Sequence, residues 1–315
     1  MTADQTDRVS PRVRGVFVAN LVAQTLIVVT GAVVRLTGSG LGCPTWPECV
    51  EGSVTPTSEQ LESWHKYVEF GNRLLTFALV VLAVACLVVA VVDAVRRRSH
   101  GQAARRVLLL LASIPLLGTI VQAGLGGVTV LTGLNPATVA SHFLVSMAII
   151  AGCVALVVRA GDPGDAPVSW LVPRPVRWLV WVVLGATAAI VIVGVVVTGS
   201  GPHSGDSGAQ ARFAVDPRVV AWLHADTALA FLGLTVGLLV ALLVSASPSR
   251  SRRLVISMLI VAGVQICVGY TQYFTGLPII LVTVHVSLAC GLWILALFLP
   301  GSIRTRGGAV PTSAP

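Results

Sequence analysis

Charged residues are scarce in this sequence. Asp, Glu, Lys and Arg make up 11% of its 315 residues while 55% are hydrophobic, against roughly 25% charged residues in an average soluble domain. A water-soluble fold of this size has nowhere to bury so much apolar surface, which excludes an ordinary soluble domain. The sequence also lacks a glycine-rich phosphate loop, a nucleophile elbow and a zinc motif, so the chemistry those motifs carry has no sequence support. Acidic side chains are nearly absent from the apolar stretches, and Glu69 is the one glutamate inside them.

What the sequence does have is long hydrophobic runs. A helix needs about 20 apolar residues to cross a hydrocarbon core of about 30 Å, and eight such runs occur, at 15–36, 66–92, 107–130, 137–158, 178–199, 219–245, 254–274 and 279–299. The fold class is therefore an all-α integral membrane protein with eight transmembrane helices. The first run is too long for a cleaved signal peptide and leads into Arg35 and a glycine-rich loop rather than a small-residue cleavage site. It is expected to stay in the protein.

The net charge of +8 resembles that of a nucleic-acid binder, but its placement does not. If the N-terminus is inside, 16 of the 21 Lys and Arg residues fall on the cytoplasmic side. That asymmetry is the positive-inside signature, so nucleic acid is excluded as a partner and both termini are expected in the cytoplasm. Residues 1–14 and 301–315, short and polar, read as disordered cytoplasmic tails.

The two halves of the chain repeat. Thr37-Gly38-Ser39-Gly40 recurs as Thr198-Gly199-Ser200-Gly201, and Gln122, Gly126, Gly133 and His142 recur at a single offset as Gln265, Gly269, Gly276 and His285. Each unit holds an even number of spans, so the copies share one membrane orientation and are related by an axis along the membrane normal. The expected organisation is an N-terminal four-helix bundle at 15–159, a cytoplasmic linker at 160–177 and a C-terminal four-helix bundle at 178–300. Functional groups should point inward from facing helices.

Aligning the second helix of each unit puts Asn72 opposite His224. The C-terminal half then holds two membrane histidines, His224 and His285, at matched depth in the outer leaflet. The N-terminal half holds His142 with Asn72 where its partner is expected. No carboxylate or thiolate cluster accompanies His224 and His285 as zinc or di-iron would require. Two imidazoles facing across an apolar bundle suit the axial positions of a haem iron.

Other polar residues admit two readings each. Glu69 stands three residues before Asn72 on the same helix face; it is either an ion-pair partner of Arg73 or a proton-handling carboxylate beside the His142 site. Arg35 and Arg73, near the outer interface, either clamp haem propionates or snorkel to lipid headgroups. Cys43 and Cys49 flank Pro-Thr-Trp-Pro-Glu in an outer loop, where the compartment favours a disulfide or a redox-active pair over a metal site. Gln122 and Gln265 fit a shared packing or interhelical hydrogen-bond role.

The stretch from Thr30 to Cys49, with Thr37-Gly38-Ser39-Gly40 and Cys43-Pro44-Thr45-Trp46-Pro47-Glu48-Cys49, resembles the first-helix and loop signature of haem A synthases of the bacterial type. So do Glu69-Phe70-Gly71-Asn72-Arg73-Leu74 and the helices around His142, His224 and His285, and the similarity runs over the whole chain except its tails. The resemblance implies an oxidoreductase of the cell membrane that oxidises the C8 methyl of haem O to a formyl group, giving haem A for cytochrome c oxidase. It further implies haem b on His224 and His285, haem O in the N-terminal half at His142, and a requirement for Glu69. The implied partners are the lipid bilayer, the haem O synthase that supplies the substrate and an electron donor or acceptor such as a quinone, with a homo-oligomer left open. Many members carry histidine where this chain has Asn72. An amide is a poor iron ligand, so His142 would hold the substrate iron with one face open beside Glu69. The competing reading is a non-catalytic dihaem cytochrome that passes electrons from quinol.

Overall fold

The structure, a computed structural model, describes residues 9–60, 63–203, 205–206, 208, 211–245 and 247–306. Among these, eight helices are long and apolar enough to cross a membrane: α1 (Pro11–Leu36), α2 (His65–Ser99), α3 (Arg106–Leu131), α4 (Pro136–Gly161), α5 (Arg174–Ser200), α6 (Pro217–Val244), α7 (Ser249–Phe274) and α8 (Ile279–Ser302). Each coincides with an expected span, and the helices run up to seven residues further at their polar ends. Three starts share one device: Ser10, Asn135 and Asp216 accept a hydrogen bond from a first-turn backbone N–H, and proline follows at the first helical position. There its missing N–H costs nothing. Helix α2 continues through Arg96, Arg97 and Arg98, whose charges sit favourably at a helix C-terminus.

Large apolar side chains face outward on these helices, among them Leu26, Phe77, Leu110, Ile260, Phe274 and Ile280. A surface as apolar as the interior is stable only against lipid. Within the N-terminal half, α1 packs on α2 and α4, and α3 packs on α2 and α4; α5 to α8 close on one another in the same cyclic order. Helix α8 also contacts α1 and α4, and the Trp293 indole donates to the Met147 carbonyl at 3.0 Å across that seam. One core gathers Phe17, Leu21, Leu108, Met147, Ile150 and Leu156; the other gathers Val180, Phe231, Leu238, Met258 and Leu299.

Two segments that composition assigns to disordered tails are ordered where described. Pro11–Arg14 form the first turn of α1, and β2 (Arg304–Arg306) pairs antiparallel with β1 (Val168–Trp170) from the linker. For β2 the physical reason is ionic. Asp162 lies 3.2 Å from Arg159, 3.2 Å from Arg304 and 3.4 Å from Arg306, and Asp165 also pairs with Arg159. Polar composition alone does not reveal that its charges find partners 140 residues away. The remainder of both tails lies outside the described residues.

Candidate functional site

His224 and His285 approach each other between α6 and α8, with ring centroids 6.3 Å apart and planes inclined at 59°. Each histidine backs onto a glycine of the neighbouring helix. A Cβ on Gly194 of α5 would stand 3.1 Å from His224 Cε1, and one on Gly269 of α7 3.4 Å from His285 Cε1. The N-terminal half repeats the device, since a Cβ on Gly126 of α3 would lie 3.5 Å from His142 Cε1. The repeat thus extends to geometry: Gly126 meets His142 as Gly269 meets His285. The hairpins that follow α3 and α7 match too, with positive φ at Gly133-Leu134 and at Gly276-Leu277.

His142 and His285 bury Nδ1 with no hydrogen-bond partner, and His224 interacts with the Ile190 backbone without a hydrogen bond of normal geometry. Gln122 donates to the His142 carbonyl at 2.8 Å and to the Ser146 hydroxyl, an interhelical role for this repeated glutamine. The amide oxygens of Gln122 and Gln265 are both buried without a partner.

Asn72 and His224 each stand seven residues past the first residue of their helix, and His142 and His285 each stand six past theirs. At 1.5 Å per residue this sets all four about 10 Å along their helices. Asn72 does not hang free there: its Oδ1 accepts from the Thr30 hydroxyl of α1 at 2.8 Å.

Glu69 is 6% exposed and fully engaged. Its Oε2 accepts the Cys43 backbone N–H at 2.7 Å, and its Oε1 accepts from Arg73 Nε at 3.1 Å and Nη2 at 2.6 Å. Arg73 continues outward to the carbonyls of Cys43, Thr45 and Glu48 at 2.8, 3.1 and 3.1 Å. Its donors are shared between Glu69, the ion-pair partner that the i, i+4 spacing offered, and this loop, whose carbonyls the sequence reading of Arg73 does not anticipate. The loop is closed by the Cys43–Cys49 disulfide, both of whose cysteines are completely buried. From it Trp46 lies over Gly127, where a Cβ would come within 2.5 Å of the indole. Gly127 adjoins the glycine that faces His142. Glu69 and Arg73 thus hold the disulfide loop, and Trp46 of that loop reaches the α3 residue next to the glycine that faces His142.

The disulfide permits a direct check. In native, unreduced protein Cys43 and Cys49 should resist alkylation and become reactive only after reduction; labelling of both without reductant would contradict the assignment.

Arg35 serves the junction between the halves, donating through Nε to the His203 carbonyl at 2.9 Å and through Nη2 to the Thr198 carbonyl at 3.2 Å. Burial, and then the nearby Arg35, hold the His203 imidazole below its usual range, so this loop histidine is neutral at pH 7. His65, which sequence reasoning leaves without a role, pairs with the buried Ser39 hydroxyl at 2.9 Å. The glycine contacts of the histidines, the seat of Trp46 and the Thr30–Asn72 bond are likewise beyond sequence reasoning. Only the repetition of Gly126 at Gly269 hints at the first of them.

Comparison with known proteins gives a consistent picture. The profile of a family described as cytochrome oxidase assembly protein, COX15-CtaA, matches residues 14–297. The haem A synthase of Alkalihalophilus pseudofirmus is 29% identical over 174 residues, 55% of this chain and 54% of that protein. That of Halalkalibacterium halodurans is 28% identical over 178 residues, 56% of each, and that of Listeria welshimeri 31% over 140 residues, 44% of this chain and 42% of the relative. Although the family profile runs nearly end to end, these pairwise alignments span about half or less of each curated relative.

Proposed function

Because the chain belongs to the COX15-CtaA family of cytochrome oxidase assembly proteins, we propose that it is a haem A synthase, which oxidises the C8 methyl of haem O to a formyl group. The observation that carries this reading is the asymmetry between the halves: a facing histidine pair in one, and in the other a single histidine at the end of the bundle that holds a buried, loop-anchored glutamate.

His224 and His285 are suited to a haem b. Two imidazoles that shared one metal, each nitrogen about 2 Å from it and the ring centre about 1 Å beyond, would stand on the order of 6 Å apart between centres. The separation of 6.3 Å fits. Among the described residues no three His, Cys, Asp or Glu side chains converge as metal ligands, so the pair suits a metal whose remaining donors come with a macrocycle. Haem b bound there supplies one-electron redox chemistry. Gly194 and Gly269 leave the imidazoles room against the neighbouring helices.

In the N-terminal half His142 holds the substrate's iron. Asn72 is a weak ligand by its chemistry, and its oxygen is already taken by Thr30. One face of the substrate stays accessible. Turning a methyl into a formyl group overall takes up the oxygen of one water and releases four electrons and four protons. The reaction therefore needs an external electron acceptor such as a quinone and a group that moves protons, and Glu69 is the acid–base group of this bundle end. Arg73 and the Cys43 amide fix where its carboxylate stands, while the disulfide loop and Trp46 roof the site. Arg35 ties the end of α1 to the second half.

The two halves are four-helix bundles related by a pseudo-twofold axis along the membrane normal, with both termini cytoplasmic and both haem sites in the outer leaflet. The cyclic helix packing, matched histidine depths, paired hairpins and arginine-rich loops support this arrangement. Haem O arrives from the enzyme that makes it, and the product serves cytochrome c oxidase.

Pigment analysis of the purified protein tests the reading. Haem b together with haem O or haem A is expected, and Asn72→His should shift the substrate haem from five-coordinate towards six-coordinate low spin. Haem b alone in two equal low-spin sites would favour the dihaem cytochrome instead.

A further inference from the structure

The arginine-rich face, opposite the outer loops, carries a cavity of about 390 Å³ lined by Trp170, Arg174, Arg177, Trp178 and Trp181. Residues 174, 177, 178 and 181 follow the i, i+3, i+4, i+7 spacing of a single helix face, at the start of α5. The fifth wall, Trp170, is delivered by the β1–β2 ladder, where it sits opposite Arg304. Arg177 stacks on it with Cζ 4.9 Å from the ring centre, and Arg177 Nε is buried without a hydrogen-bond partner.

Nearby, Arg159, Arg304 and Arg306 share Asp162, and Asp165 also pairs with Arg159. Arg174 and Arg177 have no carboxylate partner among the described residues. The cavity is also graded along the helix. Its cations lie at the first turn, while the partly exposed Trp178 and Trp181 lie about 6 and 10 Å further in the direction of the hydrocarbon core. Indoles favour the interface between headgroups and acyl chains, and guanidinium groups favour phosphate oxygens.

We propose that this cavity is a binding site for an anionic phospholipid, with the phosphate held by Arg174 and Arg177 and the upper acyl chains against Trp178 and Trp181. A zwitterionic headgroup fits less well, because it would add a cation to a pocket that already holds two unpaired ones and whose Trp170 ring is taken by Arg177. The site is independent of the haem chemistry proposed above. It would anchor the linker and the β1–β2 ladder to the membrane surface.

Native mass spectrometry of the full chain, delipidated and then titrated with phosphatidylglycerol, tests this. One tightly retained phosphatidylglycerol is expected, with affinity reduced on the order of 30-fold in Arg174→Gln/Arg177→Gln, given the contribution of each basic residue at an anionic surface. The charge-matched control Arg96→Gln/Arg98→Gln on the same face should retain it, as should Arg174→Lys/Arg177→Lys, which also serves if the glutamine variant fails to insert. Equal weakening in the control, equal affinity for phosphatidylcholine, or displacement of the lipid by equimolar inorganic phosphate would each overturn the proposal.

Discussion

Glu69→Gln is expected to lower haem A formation by on the order of a hundredfold or more, the scale of a lost acid–base group, while haem b in the C-terminal half is unchanged. Gln keeps the size of the side chain and can still accept from the Cys43 amide, but it loses the charge that pairs with Arg73 at 2.6 Å. Two readouts separate a chemical role from a structural one. If Glu69 handles protons, haem O remains bound and unconverted and the Cys43–Cys49 disulfide stays protected. If it only holds the loop, substrate occupancy and disulfide protection fall together with activity. Parental haem A formation by Glu69→Gln would remove the catalytic assignment of this half and strengthen the electron-transfer reading.

The second large effect concerns the C-terminal pair. His224→Ala and His285→Ala should each abolish the low-spin haem b spectrum, because one imidazole leaves the iron without its second axial donor. The effect should be nearly complete, since no other His, Cys, Asp or Glu groups with this pair among the described residues as an alternative set of ligands. Unchanged haem b content and spectrum in both variants would mean that the 6.3 Å pairing has another purpose.

The eight spans were legible in the sequence because each must be apolar along its whole length to sit in lipid, a constraint written into every residue. The repeat was legible because Gln122, Gly126, Gly133 and His142 keep one spacing to their counterparts, and the matching hairpins and glycine–histidine contacts show what that spacing preserves. Within the candidate site the i, i+4 spacing made the Glu69–Arg73 ion pair legible, but the longer-range wiring was not. Arg73 reaches carbonyls 25 to 30 residues away, and Thr30 meets Asn72 across 42 residues. Contacts of this kind leave no periodic trace. Arg73 near an interface fits a lipid or propionate ligand until the loop it grips is seen. The β1–β2 ladder escaped for the same reason, since three-residue strands carry too little pattern to stand out from a polar tail.

Producing the chain in a bacterial host that makes haem O but no haem A, and then extracting the membrane haems, tests the conversion itself. Haem A should appear with the parental chain, and Glu69→Gln should leave haem O unconverted with haem b still bound. Haem O and haem b without any haem A, from protein that is inserted and carries its low-spin haem b, would contradict it.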